Sequence, residues 1–386
     1  MEFIDLKAQQ KRIRALLEKR IGAVLDHGRY VLGPEVFELE EELARYVGVR
    51  HAVSCASGTD ALLMVLMAWG VGPGDVVFTT PFTFIATAEA VALLGAVPVF
   101  VDVDPETFNM DPEKLRLAVE ALDRDDPSLH PLPQAARGCR AEAVIPVDLF
   151  GLPADYPEIE QVATERGLKV LEDAAQSFGA TLGGIRAGRF GHGAATSFFP
   201  AKPLGGYGDG GMCLTDDGEL AERLRSIRVH GQGSHRYDHV RLGINGRLDT
   251  LQAAVLLAKM TIFDEELMLR QRVAERYREL LERHRPDLQL QHIPDGAMSA
   301  WAQFSVVAPN EQDRDALRKR LEDAGIPTAV YYPVPLHLQP AFAHLGHKEG
   351  DFPVSEDLAR RIFALPMHPY LSAEEQEAIV GVMSDE

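Results

Sequence analysis

The sequence predicts an α/β protein: a large domain with a mostly parallel central sheet, followed by a smaller C-terminal α+β domain. Three observations predict it. Between His51 and Glu172, short apolar runs rich in β-branched residues alternate with segments of helical period. Such alternation suits a parallel sheet with both faces covered by helices. The chain has 386 residues, enough for two domains at roughly 100–200 residues each. After Leu248 the alternation stops and a long helical stretch leads into a mixed unit, so the expected division is 1–250 and 251–386.

Residues 6–26 read as a helix, and a second follows GRYVLGPEV, with Phe37, Leu39, Leu43 and Tyr46 at near-helical spacing. The alternation then gives a strand at His51–Cys55, a helix at Gly58–Trp69, a strand at Val76–Thr79, a helix at Phe84–Leu94 and a strand at Val97–Val101. It continues with a helix at Pro112–Ala121, a strand at Ala143–Val147, a helix at Asp155–Arg166 and a strand at Lys169–Glu172. The polar, proline-rich segment 123–140 reads as a surface loop. The helical stretch after Leu248 reaches about Leu281. Beyond it, strands are expected at Ala302–Val307 and Thr328–Tyr331, and helices at Asp313–Ala324 and Ser355–Phe363. Ser372 and Glu375 form a capping box that opens the last helix.

Hydrophobic residues make up 46% of the chain and charged residues 25%, which predicts a sizeable core. The formal net charge of −19 argues against a nucleic-acid partner or an anionic membrane surface. It leaves room for a small anionic substrate in a locally basic site. Cys55, Cys139 and Cys213 show no CxxC spacing and read as reduced thiols of a cytoplasmic protein. The opening MEFIDLKAQQKR carries charges where a secretory signal would carry its apolar core. The apolar stretch Phe84–Val101 is broken by Glu89, Gly95 and Pro98, so it reads as helix and strand, not as a membrane span.

The chemistry concentrates between Lys169 and Gly211. The run KVLEDAAQSFGA ends a short strand in Glu172 and Asp173, and ATSFFPAKPLGGYGDGG sets Lys202 between Pro200 and Pro203. An apolar setting disfavours an ammonium and frees the amine to attack a carbonyl. A carboxylate at a strand's carboxyl end lies where open α/β sheets bind ligands. Together these are the requirements of pyridoxal phosphate (PLP): a lysine for a Schiff base and an acid for the pyridine nitrogen. The competing reading of Asp173 is a helix N-cap, and that of Gln176 an exposed helical residue; Gln176 is also placed to reach the ring's phenolic oxygen. Ser57, Gly58 and Thr59 stand between a strand and a helix, where backbone N–H groups hold phosphate. Ser197 is a further phosphate candidate, and Phe84 a candidate to stack on a ring, against its reading as core. His337, His344 and His347 lie in a broken segment without metal-ligand spacing, so no metal is expected.

In combination, SGTDAL, TPFTFIATAEAV, PVDLFG, EDAAQSFGA, SFFPAKPLGGYGDGG, GINGRLDTLQAAVL and YYPVPLHLQP resemble the DegT/DnrJ-type PLP-dependent sugar-nucleotide aminotransferases over nearly the whole chain. The resemblance implies the fold-type-I aminotransferase architecture and a homodimer that shares its active sites. It implies that Lys202 binds the cofactor, Asp173 pairs with the pyridine nitrogen, Gln176 faces the ring oxygen and Phe84 stacks on the ring. Ser57, Gly58, Thr59 and Ser197 would hold the phosphate, joined by Asn245 from the neighbouring subunit. Relatives that are dehydratases carry histidine where this chain has Lys202, which favours transamination here.

Within the family, EFIDLKAQQ, RYVLGPEV, FFPAKPLG, RLDTLQAAVLL and ALPMHPYL look most like the enzymes that aminate UDP-2-acetamido-2-deoxy-3-keto-glucuronate. That implies a UDP-sugar and L-glutamate as substrates, pyridoxamine phosphate as the alternate cofactor form, and an amino sugar for O-antigen synthesis. Arg247, Tyr331, Tyr332 and His337 would touch the substrate, Arg247 through the sugar carboxylate. Tyr331 and His337 depart from the subfamily's pattern of histidine and asparagine. The rival readings are an aminotransferase for a dTDP-3-keto or 4-keto deoxysugar, and a non-enzymatic sensor on the same fold.

Overall fold

The computed structural model describes residues 1–235 and 237–384. Two helices open the chain, α1 (Leu6–His27) and α2 (Pro34–Val47). Then come β1 (His51–Cys55), α3 (Gly58–Trp69), β2 (Asp75–Thr79), α4 (Ala86–Leu93), β3 (Val97–Phe100) and α5 (Pro112–Arg124). They are followed by β4 (Arg140–Ile145), α6 (Tyr156–Arg166), β5 (Lys169–Asp173), β6 (Thr181–Leu182) and β7 (Ile185–Arg186). The next elements are β8 (Gly193–Ser197), β9 (Gly211–Thr215), α7 (Gly218–Ile227) and α8 (Thr250–His284). The remainder holds β10 (Gln289–Leu290), β11 (Ala297–Met298), β12 (Phe304–Val307), α9 (Glu311–Asp323), α10 (Pro353–Arg361), β13 (Ile362–Leu365) and α11 (Ala373–Met383).

The central sheet has seven strands in the order β1-β9-β8-β5-β4-β2-β3. Only β9 runs against its neighbours β1 and β8, so the sheet is mostly parallel, as expected. Its strands are buried on both faces, with α3, α4 and α7 on one side and α5 and α6 on the other. Local capping residues bound several of these helices. Ser57 caps α3 through the Asp60 amide at 3.0 Å, and Gly70 ends that helix in the left-handed region. The capping box at Ser372 and Glu375 is present at the start of α11.

Helix α8 is 35 residues long. Its first half packs Ala253, Leu256, Leu257 and Phe263 beneath the central sheet. Its second half gives Val273, Ala274, Tyr277 and Leu281 to a separate core with β12, β13, α9 and α11. Among the described residues no helix is long and apolar enough to cross a membrane.

Three local expectations are corrected, and one strand is added. The helix after β2 begins at Ala86, which leaves Phe84 in the preceding loop. Thr328–Tyr331 is not a strand but a single bridge from Ala329 to Ala364. Pro327, Pro333 and Pro335 flank it and remove ladder donors. The helix expected at Ser355–Phe363 stops at Arg361, and Ile362–Leu365 pairs with β12. Strand β8, GAATS, went unpredicted because it carries no large apolar side chain, yet it lies in the centre of the sheet.

Candidate active site

The carboxyl ends of β1, β2, β4, β5 and β8 open on one edge of the sheet, and the loops that leave them carry the candidate residues. Asp173 is the last residue of β5. Its carboxylate accepts hydrogen bonds from Thr87 Oγ1 at 2.8 Å and from the Ala175 amide at 3.2 Å. No helix follows Asp173, only a turn, so the helix-cap reading falls away. Burial pushes the Asp173 carboxyl above its usual range, while the Thr87 hydroxyl, the Ala175 amide and the Lys202 charge oppose that shift. Burial pushes the Lys202 amine down, and Asp173 opposes it. The acid and the amine are therefore close enough to feel each other's charge, although 29 positions separate them in the sequence.

Thr87 was missed by sequence reasoning. It sits in the first turn of α4, and a bond to a residue 86 positions away leaves no local signal. Thr87→Val removes a hydrogen bond to the charged form of Asp173, so the carboxyl rises further. The acid limb of the pH–rate profile is then expected to move to higher pH, and an unmoved limb counts against this role.

Gln176 is 3% exposed, so its reading as a surface residue also fails. Its Oε1 accepts the Phe150 amide at 2.7 Å and its Nε2 donates to the Tyr332 hydroxyl at 3.2 Å. Phe84 is 56% exposed, not core, and its ring lies 6.5 Å from that of Tyr332. Tyr331 stands beside Tyr332, half-buried. On the β1 side, a Cβ on Gly58 would come within 2.7 Å of the Ser197 Cβ. Glycine there lets the start of α3 close onto the end of β8, bringing Ser57, Gly58 and Thr59 beside Ser197. Asn245 is exposed and Arg247 half-buried on the strip leading to α8. Neither side chain hydrogen-bonds within the chain among the described residues, and the Asn245 backbone bridges to Val229.

His337 does not join this group. Its side chain is fully enclosed, donates from Nε2 to Glu356 Oε1 at 3.0 Å and packs edge-on against Phe352. Expected contact with substrate is thus corrected: the ring is shut in by the segment that follows it. His347, 6.3 Å away between ring centroids, pairs with Asp351, and His130 donates to the Phe100 carbonyl at 2.7 Å.

Burial depresses all three of these histidines, His130 to about 4. Above pH about 6.5 both the folded and unfolded chains are neutral at these rings. Below it the unfolded chain takes up protons that the folded one refuses, so stability falls as pH falls toward 4. His130 alone should cost about 2 kcal/mol by pH 5. Melting temperatures measured from pH 7.5 to 5 should decline, and His130→Asn should flatten that slope. An equal slope in the variant removes His130 from the account.

The residues present fit pyridoxal phosphate. A buried carboxylate fixed by two donors suits the pyridine nitrogen, the adjacent deprotonation-prone amine suits the carbonyl carbon, and the amides opening α3 suit the phosphate. Fold and site together define a fold-type-I enzyme of the pyridoxal phosphate class. Comparison with known proteins then places it: the DegT/DnrJ/EryC1/StrS aminotransferase family matches residues 11–384, and the chain belongs to that family.

It is 47% identical to the UDP-2-acetamido-2-deoxy-3-oxo-D-glucuronate aminotransferase of Pseudomonas aeruginosa, over 100% of both chains. It is 42% identical to the UDP-N-acetyl-3-dehydro-alpha-D-glucosamine 3-aminotransferase of Acidithiobacillus ferrooxidans, over 99% of this chain and 96% of that one. Among solved structures, a family aminotransferase from Brucella abortus is 50% identical with a TM-score of 0.93, covering 99% of this chain and 98% of its own.

Proposed function

We propose that this aminotransferase moves an amino group from L-glutamate to C3 of a 3-keto UDP-sugar, UDP-2-acetamido-2-deoxy-3-keto-D-glucuronate, to supply an amino sugar for O-antigen synthesis. The observation that carries the reaction type is the Lys202 amine within electrostatic reach of the buried, twice-bonded Asp173 at the end of β5. The substrate reading is supported by full-length similarity to two relatives that act on 3-oxo UDP-sugars.

When bound, pyridoxal phosphate supplies an electrophilic carbon for the amine and a ring that takes up the electrons of a carbanion. Lys202 is the cofactor-binding lysine. Its Nζ, whose pKa burial lowers, takes the proton from the α-carbon of the amino donor. In the second half-reaction it delivers a proton to C3 of the sugar. Asp173 holds a proton on the pyridine nitrogen, oriented by Thr87 and Ala175. Gln176 orients the ring edge and Phe84 covers a face. Ser57, Gly58, Thr59 and Ser197 bind the phosphate. Tyr331 and Tyr332 line the sugar side, so the small domain, 251–386, closes a site whose cofactor the large domain, 1–250, carries.

The protein is read as a cytoplasmic homodimer. In support, the strip that bears Asn245 and Arg247 exposes Leu242 at 89% and Tyr237 at 83%, an apolar surface suited to a second copy. Across that interface Asn245 would reach the partner's cofactor phosphate and Arg247 its sugar carboxylate.

The test is a coupled assay with PLP and glutamate against 3-keto and 4-keto UDP- and dTDP-sugars. Turnover of the 3-keto UDP-uronate is expected. Reaction only with dTDP-sugars overturns the substrate, and a protein that never acquires a PLP absorbance band favours a sensor.

A further inference from the structure

Helix α8 carries a lysine that the mechanism above does not use. Lys259 is 1% exposed, and burial pushes its amine down to about 8. The partners of its ammonium are a carbonyl and an aromatic ring: Nζ donates to Gly205 O at 2.5 Å and lies 4.5 Å from the centroid of Tyr207. Glu266 of the same helix offsets part of that charge, but a buried ammonium is still costly, so a lysine kept here needs a reason. A methionine would fill the same space.

The reason lies in what Gly205 belongs to. The turn from Phe198 to Gly206 is closed by the Lys202 amide on the Phe199 carbonyl at 2.9 Å and the Gly206 amide on the Phe198 carbonyl at 2.7 Å. A Cβ on Gly205 would meet the Pro200 oxygen at 2.5 Å, so the turn is wound tightly on itself. Within such a turn, holding the Gly205 carbonyl holds the Cα of Lys202 three residues before it. Gln252 grips the next peptide, its Oε1 accepting the Tyr207 amide at 2.8 Å. Gln252 and Lys259 are seven residues apart on α8, two helical turns, and so share a face.

We propose that Lys259, with Gln252, is a positioning residue for Lys202: α8 grips the turn behind the reactive lysine and sets where its amine stands. This rests on the reading of Lys202 as the cofactor-binding lysine.

The experiment compares Lys259→Met with the parent protein, loaded with PLP and also cofactor-free. In the cofactor-free variant, hydrogen exchange of the amides at Gly206 and Tyr207 should quicken. In the loaded variant, the pH midpoint of the visible absorbance band should move. Its kcat should fall about 10- to 100-fold, as a misplaced reactive group costs, while KM for the sugar nucleotide stays within about threefold. A variant that melts earlier but keeps the parent's midpoint, and its kcat per bound cofactor, is merely destabilised and overturns the proposal. If Lys259→Met does not fold, Gln252→Leu carries the test, and an unmoved midpoint with unchanged kcat in that variant overturns it. Lys202→Ala separates the two levels. A band that survives there removes the underlying reading, whereas a band lost there but unaltered in Lys259→Met overturns this inference alone.

Discussion

Replacing Lys202 with alanine is expected to abolish the visible absorbance of the PLP-loaded protein and to lower turnover by about 10⁴-fold or more. The argument is geometric and chemical together. Lys202 is the amine whose pKa burial depresses beside Asp173 at the sheet's ligand edge. In the proposed role it is both the covalent tether and the base that moves the α-proton, and residues that act as one unit cannot replace one another. The fold should survive, because the turn around Lys202 is held by backbone bonds and by α8, none of which uses the Lys202 side chain. Spectra and single-turnover rates on the same sample check it. Normal turnover, or a retained band, would sink the assignment.

The second large effect is expected at Asp173. Asparagine keeps the shape: its Oδ1 can still accept the Ala175 amide, which donates to Asp173 Oδ1 at 3.2 Å, while its Nδ2 would donate to the Thr87 hydroxyl that now donates to Asp173 Oδ2 at 2.8 Å. What it cannot do is hold a proton on the pyridine nitrogen by charge. Loss of one preorganised electrostatic partner costs about 10²- to 10³-fold in kcat, and that is the fall expected for Asp173→Asn. Stability should hold or rise, because the substitution removes a charge that burial disfavours. A fall in melting temperature matching the loss of activity would make Asp173 a structural acid instead.

The neighbouring acid shows why the two are not equivalent. Glu172 is also buried, but successive side chains of a strand point to opposite faces. Its carboxylate accepts the amides of Gly188 and Phe190 at 2.6 and 2.8 Å, and so secures the loop between β7 and β8. Burial and the nearby Asp148 push the Glu172 carboxyl well up. Sequence alone presents two adjacent carboxylates at a strand end; the pleat assigns one to the loop and one to the site.

Much of the architecture was legible because it is written in short-range patterns. Strands β1 to β5 and helices α3, α5 and α6 follow apolar period and capping residues that lie within a few positions of one another. Strand β8 and the bridge at Ala329 were not legible, since small residues and flanking prolines carry no such period. The same divide runs through the site. Lys202 between two prolines and Asp173 at a strand end are local signals. Thr87 on Asp173, Tyr332 on Gln176 and Lys259 on Gly205 join residues 86, 156 and 54 positions apart.

The alternation from His51 to Glu172 was therefore enough to indicate the fold class, and the order of residues from Lys169 to Gly211 the cofactor and the kind of reaction. Each of those depends on residue types at fixed local spacing. The state of the reactive groups was decided in three dimensions. Desolvation, a hydroxyl arriving from α4 and a grip from α8 all come from chain distant in sequence, and His337 was removed from the site by a segment that folds back over it. Local pattern specifies which groups a protein owns, and long-range packing sets their charge, their aim and their access to substrate.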